Sequence, residues 1–238
     1  MMKTLETSLE NQKIKSRSNG FQLHIWDNTQ NKESLRPVKE FSKQIYKDAG
    51  YLEYETVDLD NWSKWFFVTF DGHLQAATRV VEKTQENLIP LEIVKRFPSG
   101  EHYNLKDMNV ADWNSVSFKQ TIIGFQAFKI AASELAQYCL IRKFNIVYGM
   151  INPTWKGLQR VYFDNGAIPS KEHSEMVSYP GCFLNGKLVL FQLIEIRENA
   201  LQNIASNCSI SVVNRHEFFE LSLYWRLAVY FLFRDIHF

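Results

Sequence analysis

Asp71-Gly-His-Leu-Gln-Ala-Ala-Thr-Arg-Val-Val-Glu82 follows Trp65-Phe-Phe-Val-Thr-Phe70, and together they decide the fold. Asp-Gly supplies two residues that tolerate positive φ, as a two-residue hairpin turn demands. On either side lie β-branched and aromatic residues in runs of strand length. The segment reads as an antiparallel hairpin, Trp65–Phe70 against Leu74–Glu82. Arg79 stands in the second strand, between Ala76-Ala77-Thr78 and Val80-Val81. A charge facing a core is costly without a partner. The arginine therefore predicts an ion pair, with Asp58, Asp60 and Asp112 as its candidates.

Upstream, Phe21–Trp26 alternates as a strand, and Asp27-Asn-Thr-Gln30 caps a helix over 33–49 whose apolar face is Leu35, Val38, Phe41 and Ile45. Residues 51–63 are acidic and irregular. Downstream, Leu91–Phe97 reads as a short helix and Asp112–Phe118 as a third antiparallel strand. The clearest helix is 121–143, with Phe128, Ala131, Ala132, Leu135, Tyr138 and Cys139 at three-to-four spacing. Ile146–Ile151 is a buried strand, 155–164 a helix stopped by Asn165-Gly166, and Gly186–Ile196 a late strand. The order β-α-β-β-β-α-β-α-β carries no repeat and no linker. It predicts an α+β domain with a mixed, mostly antiparallel sheet flanked by helices. The domain is expected over 21–204, behind a polar arm over 1–20. Residues 205–238 form an apolar extension, with Phe218, Phe219, Trp225, Phe231 and Phe233 around Glu217–Phe238. It is expected to pack on the domain, with a homodimer face or a membrane-surface contact as the alternatives.

The 238 residues are 45% hydrophobic and 22% charged, with a formal net charge of +1, so nothing in the balance draws the chain to nucleic acid. The three cysteines, Cys139, Cys182 and Cys208, are far apart and unpaired in spacing, which fits a reducing, cytoplasmic setting. No export signal is read at the N-terminus. The apolar stretch Leu221–Phe233 is too short to span a bilayer and is interrupted by Arg226. The signatures GxxxxGK[ST], GxSxG and HExxH are absent, and no two histidines have metal-ligand spacing, so no metal is expected. Gly124, in Gln120-Thr-Ile-Ile-Gly-Phe-Gln126, lies at a strand-to-helix junction, where free N–H groups and the helix dipole favour an anion.

The element order resembles the GNAT N-acetyltransferase fold. Within that superfamily, Asp71–Val81 is similar to the strand of acyl-homoserine-lactone synthases and N-acyl amino acid synthases, where a turn leads to small residues, an arginine and an apolar pair. Val57-Asp58-Leu-Asp60 resembles their acidic segment, and Pro90–Pro98 their short helix ending in Phe-Pro. Ala111–Phe118 resembles their Glu-x-x-Arg strand, and Arg160-Val-Tyr162-Phe-Asp-Asn-Gly166 the superfamily's late Tyr-x-x-x-Gly-Phe segment. Asp112 stands where the synthases have Glu, Ser115 where they have Arg, and Ser42 where an arginine precedes the aromatic of the early helix, here Tyr46. The pyrophosphate loop is degenerate, with Thr121 at its first position and Gln126 at its last.

The resemblance implies an acyl-CoA or acyl-ACP dependent N-acyltransferase acting on a small amine acceptor of amino-acid type, with a CoA thioester or acyl carrier protein as partner. Asp58, Asp60 and Arg79 would then form the acceptor side. Asp112 would take the acceptor's proton, directly or through a water, and Tyr162 would protonate the leaving thiolate. Val116, Ser117, Phe118, Gln120 and Gly124 would hold the acyl donor, with backbone N–H groups near Val116–Phe118 as oxyanion donors. No cysteine looks nucleophilic, so the amine attacks the thioester directly. Trp26, Trp65, Phe66, Phe67, Phe70, Trp113, Phe118 and Tyr148 are either an acyl tunnel or a filled core. Two alternatives stand beside this reading: an acetyltransferase using acetyl-CoA on a small amine or protein lysine, and a non-catalytic sensor of acyl-CoA or fatty acid.

Overall fold

The structure is a computed structural model that describes residues 20–51 and 57–213, the side chains of 210–213 excepted. The expected arm, save Gly20, and the Glu217–Phe238 segment lie outside the described residues.

Phe21–Trp26 forms β1, and a 3-10 turn over Lys32–Leu35 leads into α1, Arg36–Asp48. β2 (Ser63–Phe70) and β3 (His73–Glu82) are the hairpin, with Asp71 at φ 49° and Gly72 at φ 78°, the two positive values a type I′ turn requires. A single turn of helix, α2 (Pro90–Ile93), and β4 (Lys95–Arg96) precede β5 (Val110–Phe118). Then come α3 (Ile122–Arg142), β6 (Ile146–Ile151), α4 (Lys156–Phe163) and the short strands β7 (Ile168–Pro169), β8 (Val177–Ser178), β9 (Phe183–Leu184) and β10 (Lys187–Leu188). β11 (Gln192–Ile196) and α5 (Glu198–Val213) close the described chain.

The main sheet has seven strands in the order β1-β2-β3-β5-β6-β11-β7. Its neighbours are antiparallel except β5 and β6, which run parallel, so β5 is antiparallel to one neighbour only. Alternation along the strands divides the core between the two faces. Trp65 and Ala77 pack with Trp26, Leu35 and Val38 beneath α1. Their neighbours Phe66 and Ala76 join Val80, Trp113, Val147 and Ile194 under the Ala127, Phe128, Ala131, Leu135 and Cys139 stripe of α3. The alanines of that stripe let the helix backbone approach the sheet closely. α5 packs along α3, where the Ser133 hydroxyl donates to the Ala205 carbonyl at 2.7 Å. The division expected after residue 204 thus falls inside a continuous helix, whose Ala205 and Cys208 belong to the core.

Two further expectations are corrected. The helix expected over Leu91–Phe97 ends at Ile93. Val94 turns extended (φ −66°, ψ 157°), and Lys95–Arg96 satisfies its backbone against β8. The strand expected over Gly186–Ile196 is two strands, because Asn185 and Gly186, both at positive φ, form the turn between β9 and β10, and the long pairing with β6 begins only at Gln192.

Two local devices fix what surrounds the site. Lys83 and Glu92 form an ion pair at 2.8 Å with both side chains buried. Both partners make further bonds: Lys83 donates to the Asn87 carbonyl, and Glu92 accepts the N–H groups of Ile89 and Leu105. Such a pair holds its place because breaking it strands a buried charge. It anchors α2. At the other end of β5, Thr121 caps α3, its hydroxyl accepting the Gly124 N–H at 3.0 Å. A Cβ at Gly124 would lie 2.1 Å from the Lys119 carbonyl oxygen, so glycine is required by contact.

Gly124→Ala is expected to lower stability by about 1–3 kcal/mol through overpacking, rather than gain the ~1 kcal/mol of helix propensity. Urea unfolding checks the sign, and a stabilised variant contradicts the account.

Candidate functional site

β5 pairs with β6 only from Val110↔Ile146 to Trp113↔Gly149. Beyond that point the strands part. The cause lies on the other edge of β5. Its register with β3 runs Arg79↔Asn114 but Ala77↔Ser117, so β5 carries one extra residue there. Ser115, at φ 53°, is in that bulge. A bulge bends its strand and increases local twist, and here it turns β5 away from β6. The opening is a cleft of about 150 Å³. Arg79, Asn114, Ser115 and Val116 come to its wall from the sheet, Tyr46 from α1 and Tyr162 from α4.

A polar chain runs into the sheet from this wall. Arg79 is half-buried, its guanidinium 5.3 Å from the centre of the Trp65 ring. Its Nε donates to Asn114 Oδ1 at 2.7 Å. Asn114 Nδ2 donates to Asp112 Oδ1 at 3.0 Å, and Asp112 Oδ2 accepts the Leu91 N–H at 3.1 Å. The order follows from the backbone: Asp112 and Asn114 are two apart on one strand face, and Arg79 is the cross-strand neighbour of Asn114. The ion pair expected for Arg79 is therefore corrected. Among the described residues Arg79 bonds a neutral amide, and Asp60 and Asp112 act on it only through space. Burial lowers the guanidinium from the usual arginine value, and these negative groups offset part of that.

Asp112 is 0% exposed and does not line the cleft, because Asn114 stands in front of it. Burial raises its carboxyl to about 7, against the opposing pull of the Asn114 and Leu91 hydrogen bonds and the Arg79 charge. Direct contact between this carboxylate and an amine in the cleft is closed. Tyr162 does line the cleft, its ring edge-on to Trp113 at 5.4 Å between centres. Burial raises its phenol far above the ordinary value, with Cys208 and Asp112 adding to the effect, so it is protonated at neutral pH and a proton it gives up must be replaced in the same step.

The acidic segment divides. Asp58 is exposed and turned to solvent, with Lys32 at 3.8 Å. Asp60 is buried and paired with Lys39, while its Oδ1 has no hydrogen-bond partner among the described residues. The indole N–H of Trp65 is likewise buried without a partner among the described residues. Val116 is at the cleft and its carbonyl accepts the Tyr46 hydroxyl at 2.9 Å. Ser117 faces α1 instead, bonded to Ser42 at 2.8 Å and to the Ala77 carbonyl. Phe118 is stacked on Phe128 in the core, Gln120 is exposed, and the Gly124 N–H is taken by Thr121. Of the aromatic residues expected as a tunnel, only Trp113 lines the cleft; the others fill three separate cores. The aromatic walls are instead Tyr46, Tyr51, Trp155, Tyr179 and Phe191, with Cys182 among them, its thiol raised to about 11 by burial. Among the described residues no group of three His, Cys, Asp or Glu is placed to hold a metal. Asn114 and Tyr46 were missed as site residues. The i, i+2 spacing from Asp112 pointed to Asn114.

No family model matches the chain and no curated protein matches it in sequence. Solved structures do. The acyl-homoserine-lactone synthase LasI matches with a TM-score of 0.54 at 13% identity, over 79% of this chain and 95% of that one. FeeM, an N-acyl amino acid synthase from uncultured soil microbes, matches with a TM-score of 0.52 at 10% identity, over 80% and 97%. MesI, a CoA-dependent acyl-homoserine lactone synthase, gives 0.51 at 13%, over 79% and 95%. The chain has the GNAT-like α+β fold that these synthases share.

A carboxyl raised in the folded state binds its proton there more tightly than in the unfolded chain, so its contribution to stability falls as pH rises from about 4 through 7. Wild type is therefore expected to lose roughly 2 kcal/mol more than Asp112→Asn between pH 5 and pH 8 in urea unfolding. Parallel pH profiles would contradict the assignment.

Proposed function

We propose that the chain is an N-acyltransferase that moves an acyl group from a thioester, acyl-CoA or acyl-ACP, to the amine of an amino-acid-like acceptor. The observation that carries this is the parting of β5 from β6 at Trp113 and Gly149, which opens a cleft with a cation and a protonated phenol in its walls. Strand edges left unpaired in this way offer backbone groups to an extended amide-bearing arm and to a developing oxyanion. The fold shared with LasI and FeeM supports the same reading.

In this mechanism the amine nitrogen attacks the thioester carbonyl, the C–N bond forms and the C–S bond breaks. The acceptor attacks as the free amine, its ammonium proton having gone to solvent. The leaving thiolate takes the Tyr162 proton, and the proton released from nitrogen on C–N bond formation restores the phenol. Arg79 holds the acceptor side, and Asp60, buried and paired with Lys39, bears on that arginine only through space. Asp112 acts from behind Asn114, as an electrostatic anchor of the wall. The sealing of Asp112 and the capped Gly124 N–H favour one other reading, a sensor that binds acyl thioesters without turnover.

Thiol release by the purified chain, with acyl-CoAs of two to sixteen carbons and a panel of amino acids, tests the proposal. Turnover is expected with a product of acyl-amino-acid mass. Arg79→Ala, still folded, is expected to lose at least about 100-fold in kcat/KM, and Tyr162→Phe about 10²–10⁴-fold in kcat. Full activity in folded Arg79→Ala would sink the assignment. Preference for acetyl-CoA would move it to an acetyltransferase, and binding without turnover to a sensor.

A further inference from the structure

Asn114 has no rotational choice in the network it joins. Arg79 Nε and the Ser115 hydroxyl both donate to its Oδ1, at 2.7 and 3.0 Å. The guanidinium cannot accept, so turning the amide over would set N–H against N–H. Nδ2 therefore faces Asp112, donating to its carboxyl at 3.0 Å and its carbonyl at 3.1 Å. Asp112's other oxygen is taken by Leu91 on the α2 turn, which the buried Lys83–Glu92 pair anchors. The one open part of the chain is the Nη edge of Arg79, which has no hydrogen-bond partner among the described residues, in a side chain that lines the cleft.

A clamp of this kind fixes a cation without neutralising it. An aspartate at residue 114 would make the same bond to Arg79 and cancel its charge. Asn114 makes the bond and leaves the charge. A half-buried guanidinium with no carboxylate in hydrogen-bond contact among the described residues is costly, the through-space pull of Asp60 and Asp112 offsetting only part of that. A ligand carboxylate removes the rest through two parallel charge-assisted bonds. We propose that Asn114 is a positioning residue that holds Arg79 at the cleft wall with a neutral amide, so that the guanidinium's counter-ion is a carboxylate supplied by the ligand. The clamp itself stands on geometry alone. Naming the carboxylate as the acceptor's rests on the transferase reading.

The test is NMR on the full chain, as wild type, Asn114→Leu and Asn114→Asp, and it needs no turnover. Proton exchange at Arg79 Nε reads the clamp. The ¹³C titration of the Asp112 carboxyl reads its other end, which faces Arg79 from β3, Tyr162 from α4, the Leu91 N–H from α2 and Asn114 on its own strand. Binding of a panel of N-dodecanoyl amino acids, each against its methyl ester, reads the open charge. Asn114→Leu is expected to speed Nε exchange at least tenfold and raise the Asp112 midpoint. Asn114→Asp is expected to keep the exchange slow while also raising that midpoint. Wild type is expected to bind the acids at least tenfold tighter than the esters, and both variants to lose that preference, one because Arg79 is freed and the other because its charge is met. Unchanged exchange and midpoint in Asn114→Leu overturn the clamp. Equal binding of acid and ester by wild type, or no binding of either, overturns the ligand carboxylate. A wild type that binds the acids but turns over no thioester leaves the clamp standing and removes the transferase reading.

Discussion

The structure turns on one extra residue in β5. The bulge at Ser115 lets the strand keep its hydrogen bonds to β3 on both sides of the irregularity while swinging its far half away from β6. A sheet that stayed paired would have no cleft, and Arg79, Asn114 and Tyr162 would face only packed side chains. The bulge holds because both its flanks are fixed. The Trp113 indole donates to the Thr78 hydroxyl at 2.7 Å on one side. On the other, Ser117 is bound between Ser42 and the Ala77 carbonyl. Local backbone irregularity of this kind is most at home beside functional sites, where it re-aims side chains.

The polar chain behind the wall sets the electrostatics. Arg79, Asn114 and Asp112 lie on neighbouring strands, and the only charges they bring are one at each end of a neutral amide. The carboxylate end is sealed by α2 and the sheet. The guanidinium end is at the cleft. The result is a wall that presents positive charge to a ligand, while its compensating negative charge is kept one side chain away. Tyr162, also in the cleft wall, has its phenol raised above the ordinary value by burial first and by Cys208 and the same carboxylate in addition. One buried group thus bears on both candidates for contact with a ligand.

Much of this was legible in the sequence. Asp71-Gly72 and the runs around it fixed the hairpin, and the spacing of Phe128, Ala131, Leu135 and Cys139 fixed α3, because both signals are local. Arg79 and Tyr162, picked out through their order along a resembling family, both line one cleft. What was not legible depended on long-range pairing. The parallel partner of β5 and the bulge at Ser115 are properties of three strands together. So is the neutral partner of Arg79: charge alone pointed to an aspartate, while register placed Asn114 opposite. At the α3 junction, where donor residues were expected, Thr121 uses the Gly124 N–H as a cap, a local bond that spacing alone did not show. Aromatic residues that read equally as tunnel or core proved to be core, because alternation sends Trp65 and Phe66 to opposite faces.

The central claim is that the gap between β5 and β6 receives the acyl thioester. A crystal structure of the chain with a non-hydrolysable acyl-CoA thioether tests it most directly. The account predicts the sulfur position within reach of the Tyr162 hydroxyl and the acyl carbonyl beside Asn114–Val116. An analogue bound elsewhere on the domain, or one that fails to bind at all, would contradict it.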